Sequence, residues 1–337
     1  MGPVLTRKQF LAGAAATPAA VSTRRARTAP TYNIHLGYDG TMDHPIMIGM
    51  AAAAARIRKA TDGQVNVRLF PDNQLGDDTH MLANLRSGAM QMMAIGDNIL
   101  ATLVPSAAID NVGFAFRSAE TAWAALDGAV GDIIRAETVK AGLYPMHHIF
   151  DQGFREITSS TKQINAPDDL RGFKMRVPPS PISLQIFQSL GASPVTINSA
   201  EVYTALQTHV ADGQENPLGV IETLKFYQVQ KYCALTDHMW VGFWALMNGA
   251  YWNSMPENLR RIVADAFDAE AVGERPANEN LNNTLEETLK KQGLTFNRPD
   301  KTAFQAALAK SGFYKTWREK FGAPLWSALE KYTGPLG

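Results

Sequence analysis

From Tyr32 onward, short β-like runs alternate with longer helical ones, and this alternation restricts the possible fold more than any other feature. NIHLGY reads as a strand, followed by a helix over Pro45–Ala60 with Met47, Met50, Ala51, Ala54 and Ile57 at helical spacing. After a Thr-Asp-Gly turn, VNVRLF alternates apolar and polar as a half-buried strand does. Residues 77–87 read as a helix closed by Gly88, MQMMAI as a strand, 120–140 as a helix and YPMHHIF as another strand. Repeated strand–helix–strand order predicts an α/β architecture with a mostly parallel sheet.

The pattern then restarts. FREIT and FKMRV read as strands around the loop INAPDDLRG, and 181–190, 200–209 and 218–226 as helices. FWALMN is an apolar strand, and a long helix follows over 256–292, its apolar face marked loosely by Val263, Ala266, Phe267 and Val272. Two α/β units, with later segments returning to both, predict a two-lobed molecule. Its chain crosses between lobes several times, and the long helix bridges them. The expected division is 1–30 as an export signal or tail, 31–153 plus 242–281 as the first lobe, and 154–241 plus 282–337 as the second. In such a molecule a ligand belongs in the cleft, at strand C-termini and helix N-termini.

Charge narrows the partners. Residues 1–30 hold five basic groups (Arg7, Lys8, Arg24, Arg25, Arg27) and no acid; the remainder then carries 27 basic against 32 acidic residues, a net −5. A body of that sign lacks the clustered cations that phosphate neutralisation needs, so nucleic acid is not an expected partner. Arg7 and Lys8 precede an alanine-rich apolar stretch and small residues, the layout of an export signal. Arg24, Arg25 and Arg27 after that stretch keep a second reading open, a basic tail. No other apolar run approaches the roughly 18–20 residues of a membrane span. Cys233 is the one cysteine, which excludes an internal disulfide and a Cys-rich zinc site.

Reactive motifs are missing. There is no GxGxxG after a strand, no phosphate loop, no GxSxG and no HExxH. His147 and His148 fall in an apolar run, where strand alternation points adjacent rings to opposite faces and disfavours a shared metal. Asp168 and Asp169 follow Pro167 as helix-start residues. No cofactor or metal is expected. The rival reading, a periplasmic enzyme acting on a small acid, would draw on His44, His209 and His238, whose spacing forms no triad.

Between Gly153 and Pro217 the blocks GFREITSSTKQINAPDDLRGFKMRVP, LGASPVTINSAEVYTALQT and VADGQENP resemble the solute-binding proteins of tripartite ATP-independent periplasmic (TRAP) transporters, in their C4-dicarboxylate-binding-like form. TDGQVNVRLFPDNQLGDD upstream and KFYQVQKYCALTDHMW downstream extend the resemblance to about residues 32–300. It implies a two-lobed periplasmic receptor, monomeric, that captures a small organic acid and delivers it to a TRAP-type membrane permease without chemistry. It also implies that Arg176, in the RVP strand, pairs with the ligand carboxylate, and that Arg155 and Asn216 add contacts. Tyr38, Asp39, His44 and Trp240 fall on segments that reach the cleft in related proteins. A metal-assisted branch has Trp–Glu where this chain has Glu215–Asn216, so no cation is implied. The sialic-acid branch has glutamate where this chain has Gly96, which points to a smaller carboxylate, a dicarboxylate or an aromatic acid.

Elementary chemistry supports the arginine assignment: a planar guanidinium matches two carboxylate oxygens and keeps its charge. Several alternatives stay open on the residues alone. Arg155 sits beside Glu156 and could be held by Glu215, Asn216 before Pro217 suits a turn or cap, and His44 before Pro45 suits a helix start. Phe243 and Trp244 read as core, and Trp240 as a wall against the ligand body.

Overall fold

A computed structural model describes residues 32–337; the export-signal reading lies outside the described residues. In chain order the first five strands are β1 (Tyr32–Gly37), β2 (Val65–Phe70), β3 (Met92–Gly96), β4 (Leu143–Pro145) and β5 (Phe150–Phe154). The next five are β6 (Glu156–Ser159), β7 (Lys174–Val177), β8 (Ser193–Thr196), β9 (Gly213–Asn216) and β10 (Tyr232–Ala234). The last two are β11 (Trp240–Asn248) and β12 (Thr295–Asn297). They build two sheets. One runs β2-β1-β3-β11-β4, with β5 also on β11, and the other runs β12-β10-β6-β9-β7-β8.

Each sheet therefore borrows a strand from the far side of the sequence. The sheets are mixed rather than mostly parallel, because the returning strands run against their neighbours. β11 is antiparallel to β3, β4 and β5, and β6 is antiparallel to β9 and β10. The long helix Glu257–Lys291 spans both lobes: Val263, Ala266, Phe267 and Ala271 enter the larger apolar core, while Leu285 and Leu289 enter a second, smaller one. Val272, expected on its apolar face, is exposed. The final helix Phe313–Thr333 buries Phe313, Trp317, Trp326 and Leu329 in the larger core, which also takes in Met175, Val177 and Phe187 of the expected second lobe, and its Tyr314 hydroxyl donates to the Gly113 carbonyl (2.9 Å). Among the described residues no helix is long and apolar enough to cross a membrane.

Two local expectations change. Helix 120–140 is broken into Ala119–Asp127 and Ala129–Lys140 at Gly128, where a Cβ would come within 2.6 Å of the Tyr332 hydroxyl and 2.7 Å of the Ala124 carbonyl. YPMHHIF is not one strand, because β4 ends at Pro145 and β5 starts at Phe150. His147 and His148 therefore lie in a bend with their rings 4.7 Å apart, edge to face, instead of on opposite faces. His148 meets Asp127 at 2.9 Å and accepts a structural role there.

Candidate functional site

A cavity of about 600 Å³, including its open mouth, lies between the sheets. Six residues expected at the site line it: Tyr38, Asp39, His44, Arg155, Arg176 and Asn216. They come from strand ends and helix starts, where backbone groups leave the ladders and side chains can turn inward. Tyr38 and Asp39 follow β1, and His44 caps helix Pro45–Ala60. Arg155 sits between β5 and β6, Arg176 in β7, and Asn216 ends β9.

The wall from the second lobe is held tightly. Arg176 is 3% exposed, and its Nε and Nη2 both donate to the Ile197 carbonyl, at 2.9 and 2.6 Å. Among the described residues its Nη1 has no hydrogen-bonded partner, so the outer edge of the fork is unclaimed by protein. Burial lowers its pKa to about 10 against the pull of Glu215, which still leaves it a cation at neutral pH. Arg155 is gripped by Glu215 through Nε (2.5 Å) and Nη2 (3.0 Å), and Nη2 also reaches the Glu215 carbonyl (2.6 Å). His238 Nε2 lies 3.2 Å from the same carboxylate. Burial alone would raise the Glu215 pKa, but Arg155 and His238 bring it down to about 2. Arg155 is thus first a partner of Glu215. Asn216 is neither turn nor cap: it is a strand residue whose Nδ2 donates to Gln214 Oε1 (2.5 Å).

The wall from the first lobe is bonded less completely. His44 Nδ1 accepts from the Ile46 amide (3.3 Å), which puts the ring proton on Nε2, and that atom is buried without a partner. Burial lowers the imidazole to about 4, so the ring is neutral. Asp39 is raised to about 6, chiefly by burial, with Arg176 and Arg155 pulling the other way. Asp78, the first residue of helix Asp78–Ser87, is 5% exposed and raised well above the usual carboxylate range by burial and by Asp39. Gln152, in β5, has its Oε1 buried without a partner. Phe243 packs edge-on against Tyr38, with centroids 5.7 Å apart. A side chain at Gly96 has no room: a Cβ would lie 2.6 Å from Asn98 Oδ1 and 3.2 Å from the Phe243 ring.

Trp240 does not line the cavity, contrary to expectation. It is 1% exposed, donates its indole N–H to Asp151 (2.9 Å) and meets Phe116 edge-on. A buried indole needs an acceptor, and Asp151 holds it away from the cleft. Asp78 and Gln152 are among the lining residues that had no expected role, and Phe243, expected in the core, lines the cavity as well. For Asp78 a signal existed. Asp77 and Asp78 are adjacent at a helix start and only one can cap it; Asp77 does so by accepting from the His80 amide (2.9 Å). Among the described residues no cluster of three metal-binding side chains occurs.

Two α/β lobes that turn polar side chains from both sides into the cavity between them have the layout of a solute-binding receptor. The chain belongs to the family of bacterial extracellular solute-binding proteins, family 7 (DctP), which it matches over residues 36–318. Members of this family and the structures it resembles are periplasmic receptors of the TRAP class that bind carboxylates and sugar acids, not enzymes. One relative is the 2,3-diketo-L-gulonate-binding periplasmic protein YiaO of Escherichia coli, 32% identical over 238 residues, covering 70% of this chain and 72% of that protein. The chain spans about half of another, the uncharacterized protein y4mM of Sinorhizobium fredii: 34% identity over 268 residues, 79% of this chain and 49% of that one. Among solved structures, a TRAP periplasmic solute-binding protein from Polaromonas sp. JS666 bound to D-erythronate has a TM-score of 0.85 at 25% identity, covering 90% of this chain and 98% of that one. A second, from Sulfurospirillum deleyianum with bound succinate, has a TM-score of 0.84 at 27% identity, covering 90% and 99%.

Proposed function

We propose that this chain is the monomeric receptor of a TRAP-type transporter, capturing an organic acid by its carboxylate on Arg176 and handing it to a membrane permease. The observation that carries the reading is the state of that guanidinium. Its Nε and Nη2 are fixed on one backbone carbonyl, it remains charged in a buried cavity, and its outer edge faces the space between lobes. Such a fork is rigid before the ligand arrives, so little freedom is lost on pairing. Asn216 and the remaining N–H groups of Arg155 stand at the same end. Hinge closure of the lobes then desolvates the ion pair and presents the surface that the permease reads. The two structural neighbours above hold different kinds of acid, a hydroxylated monoacid and a dicarboxylate, and both have a carboxylate for such a fork.

The test is calorimetric. After a thermal-shift screen of organic acids identifies binders, Arg176→Ala is expected to weaken their binding by about 1.5–3 kcal/mol. Unchanged affinity would remove the anchor and with it the proposal. Delivery is checked by uptake into vesicles carrying the permease, which should require this protein.

A further inference from the structure

The charged residues lining the cavity are Asp39, Asp78, Arg155 and Arg176. Arg155 is already matched by Glu215, so a ligand meets one uncommitted cation and two carboxyl groups. Both acids belong to the first lobe, one after β1 and the other at a helix start, and the cation belongs to β7. With them stand Gln152, whose Oε1 is buried without a partner in a residue 5% exposed, and His44, whose Nε2 is buried without a partner in a residue 1% exposed. An ionised carboxylate and an amide oxygen only accept hydrogen bonds, and a neutral imidazole N–H only donates. A wall that mixes several acceptors with a donor suits hydroxyl groups, because each hydroxyl both donates and accepts. It suits a second carboxylate poorly: that group brings acceptors only, and its charge repeats that of Asp39, raised only to about 6, whereas Asp78, held well above the usual carboxylate range, favours its neutral form.

Resting on the receptor reading above, we propose that Asp39 sets the substrate class: an acid with one carboxylate, held by Arg176, and a hydroxylated body, held by the first-lobe wall. An acid with a carboxylate at each end pairs one with Arg176 and brings the other against Asp39 in a partly enclosed site. Like charges there are far more costly than in bulk water. Discrimination thus comes from a group that repels the wrong acid as much as from groups that bind the right one.

The experiment compares affinities by calorimetry at pH 7.5 for acids of four to six carbons, polyhydroxylated monoacids against unsubstituted dicarboxylates of the same length. The four-carbon pair is 2,3,4-trihydroxybutanoate and succinate. In the unaltered protein the best hydroxylated monoacid is expected to bind at least about tenfold more tightly than the best dicarboxylate. In Asp39→Asn the ratio should fall by about tenfold, with dicarboxylate affinity rising in absolute terms. Dicarboxylates binding as well as the hydroxylated acids, while Arg176→Ala still weakens binding, would overturn the selectivity and leave the receptor reading standing. A preserved ratio in Asp39→Asn would overturn the role of that acid. If no acid of the panel binds, or Arg176→Ala changes nothing, the receptor reading falls and this inference with it.

Discussion

The two walls of the cavity differ in how far their polar groups are satisfied before any ligand is considered. On the second-lobe side Arg155 makes three hydrogen bonds to Glu215, Arg176 two to Ile197, and Asn216 one to Gln214. On the first-lobe side His44 Nε2 and Gln152 Oε1 are buried without partners, and Asp39 and Asp78 are carboxyls raised by burial. The first kind of wall is rigid and confers charge, while the second is polar surface whose desolvation is not repaid inside the protein. Anchoring and discrimination are thereby separated between lobes: one fixes where the acid group sits, and the other responds to what is attached to it.

The comparison breaks most readily at Glu215. Replacing it by alanine leaves Arg155 buried without a counter-charge and should lower the unfolding free energy by about 3–5 kcal/mol, read from urea denaturation. A loss below about 1 kcal/mol would mean that this wall behaves like exposed ion pairs elsewhere. At Asp39 the sign reverses. Its folded pKa of about 6 lies above the ordinary 3.8, so its proton-linked stability is present below pH 3.8 and lost as pH rises through 6. Asp39→Asn should therefore be more stable than the unaltered protein at pH 7.5, by about 1–2 kcal/mol, with the advantage vanishing as pH approaches 4. Melting curves across that range check it, and an advantage that grows on acidification would contradict it. The smallest effect sharpens the contrast at Gln152. Gln152→Met removes an unpaired buried acceptor and should raise stability without added acid by about 1 kcal/mol, while weakening acid binding in the same preparation. A loss of stability there would show the first wall to be as well satisfied as the second.

What the sequence disclosed about this site follows from how each residue is placed. Arg155, Arg176 and Asn216 stand in contiguous blocks, and motif resemblance reads such blocks directly. Tyr38, Asp39 and His44 lie between a clear strand and a clear helix, so their position at a strand end was legible too. Gln152 was hidden because the run YPMHHIF looked like a single strand that stopped at Phe150, whereas the chain bends at His147–His148 and begins β5 there. Trp240 and Phe243 share β11, and no periodicity tells which of them the cleft receives. The hydrogen bond from the Trp240 indole to Asp151, 89 residues away, decides it. The mixed sheets were equally out of reach, since the direction of β11 depends on the route the chain takes back from the other lobe.

The long helix carries a further consequence. Proline 276 lies inside Glu257–Lys291, between Ala271, the last of its residues in the larger core, and Leu285, the first in the smaller one. Having no amide hydrogen, it cannot close the rung to the carbonyl of Val272. A missing rung of this kind is one of the few causes that bend a long helix, so the helix is weakest there. In the receptor proposed above, a swing of the lobes would be concentrated over this one helical turn, with both ends of the helix stiff against their own packing.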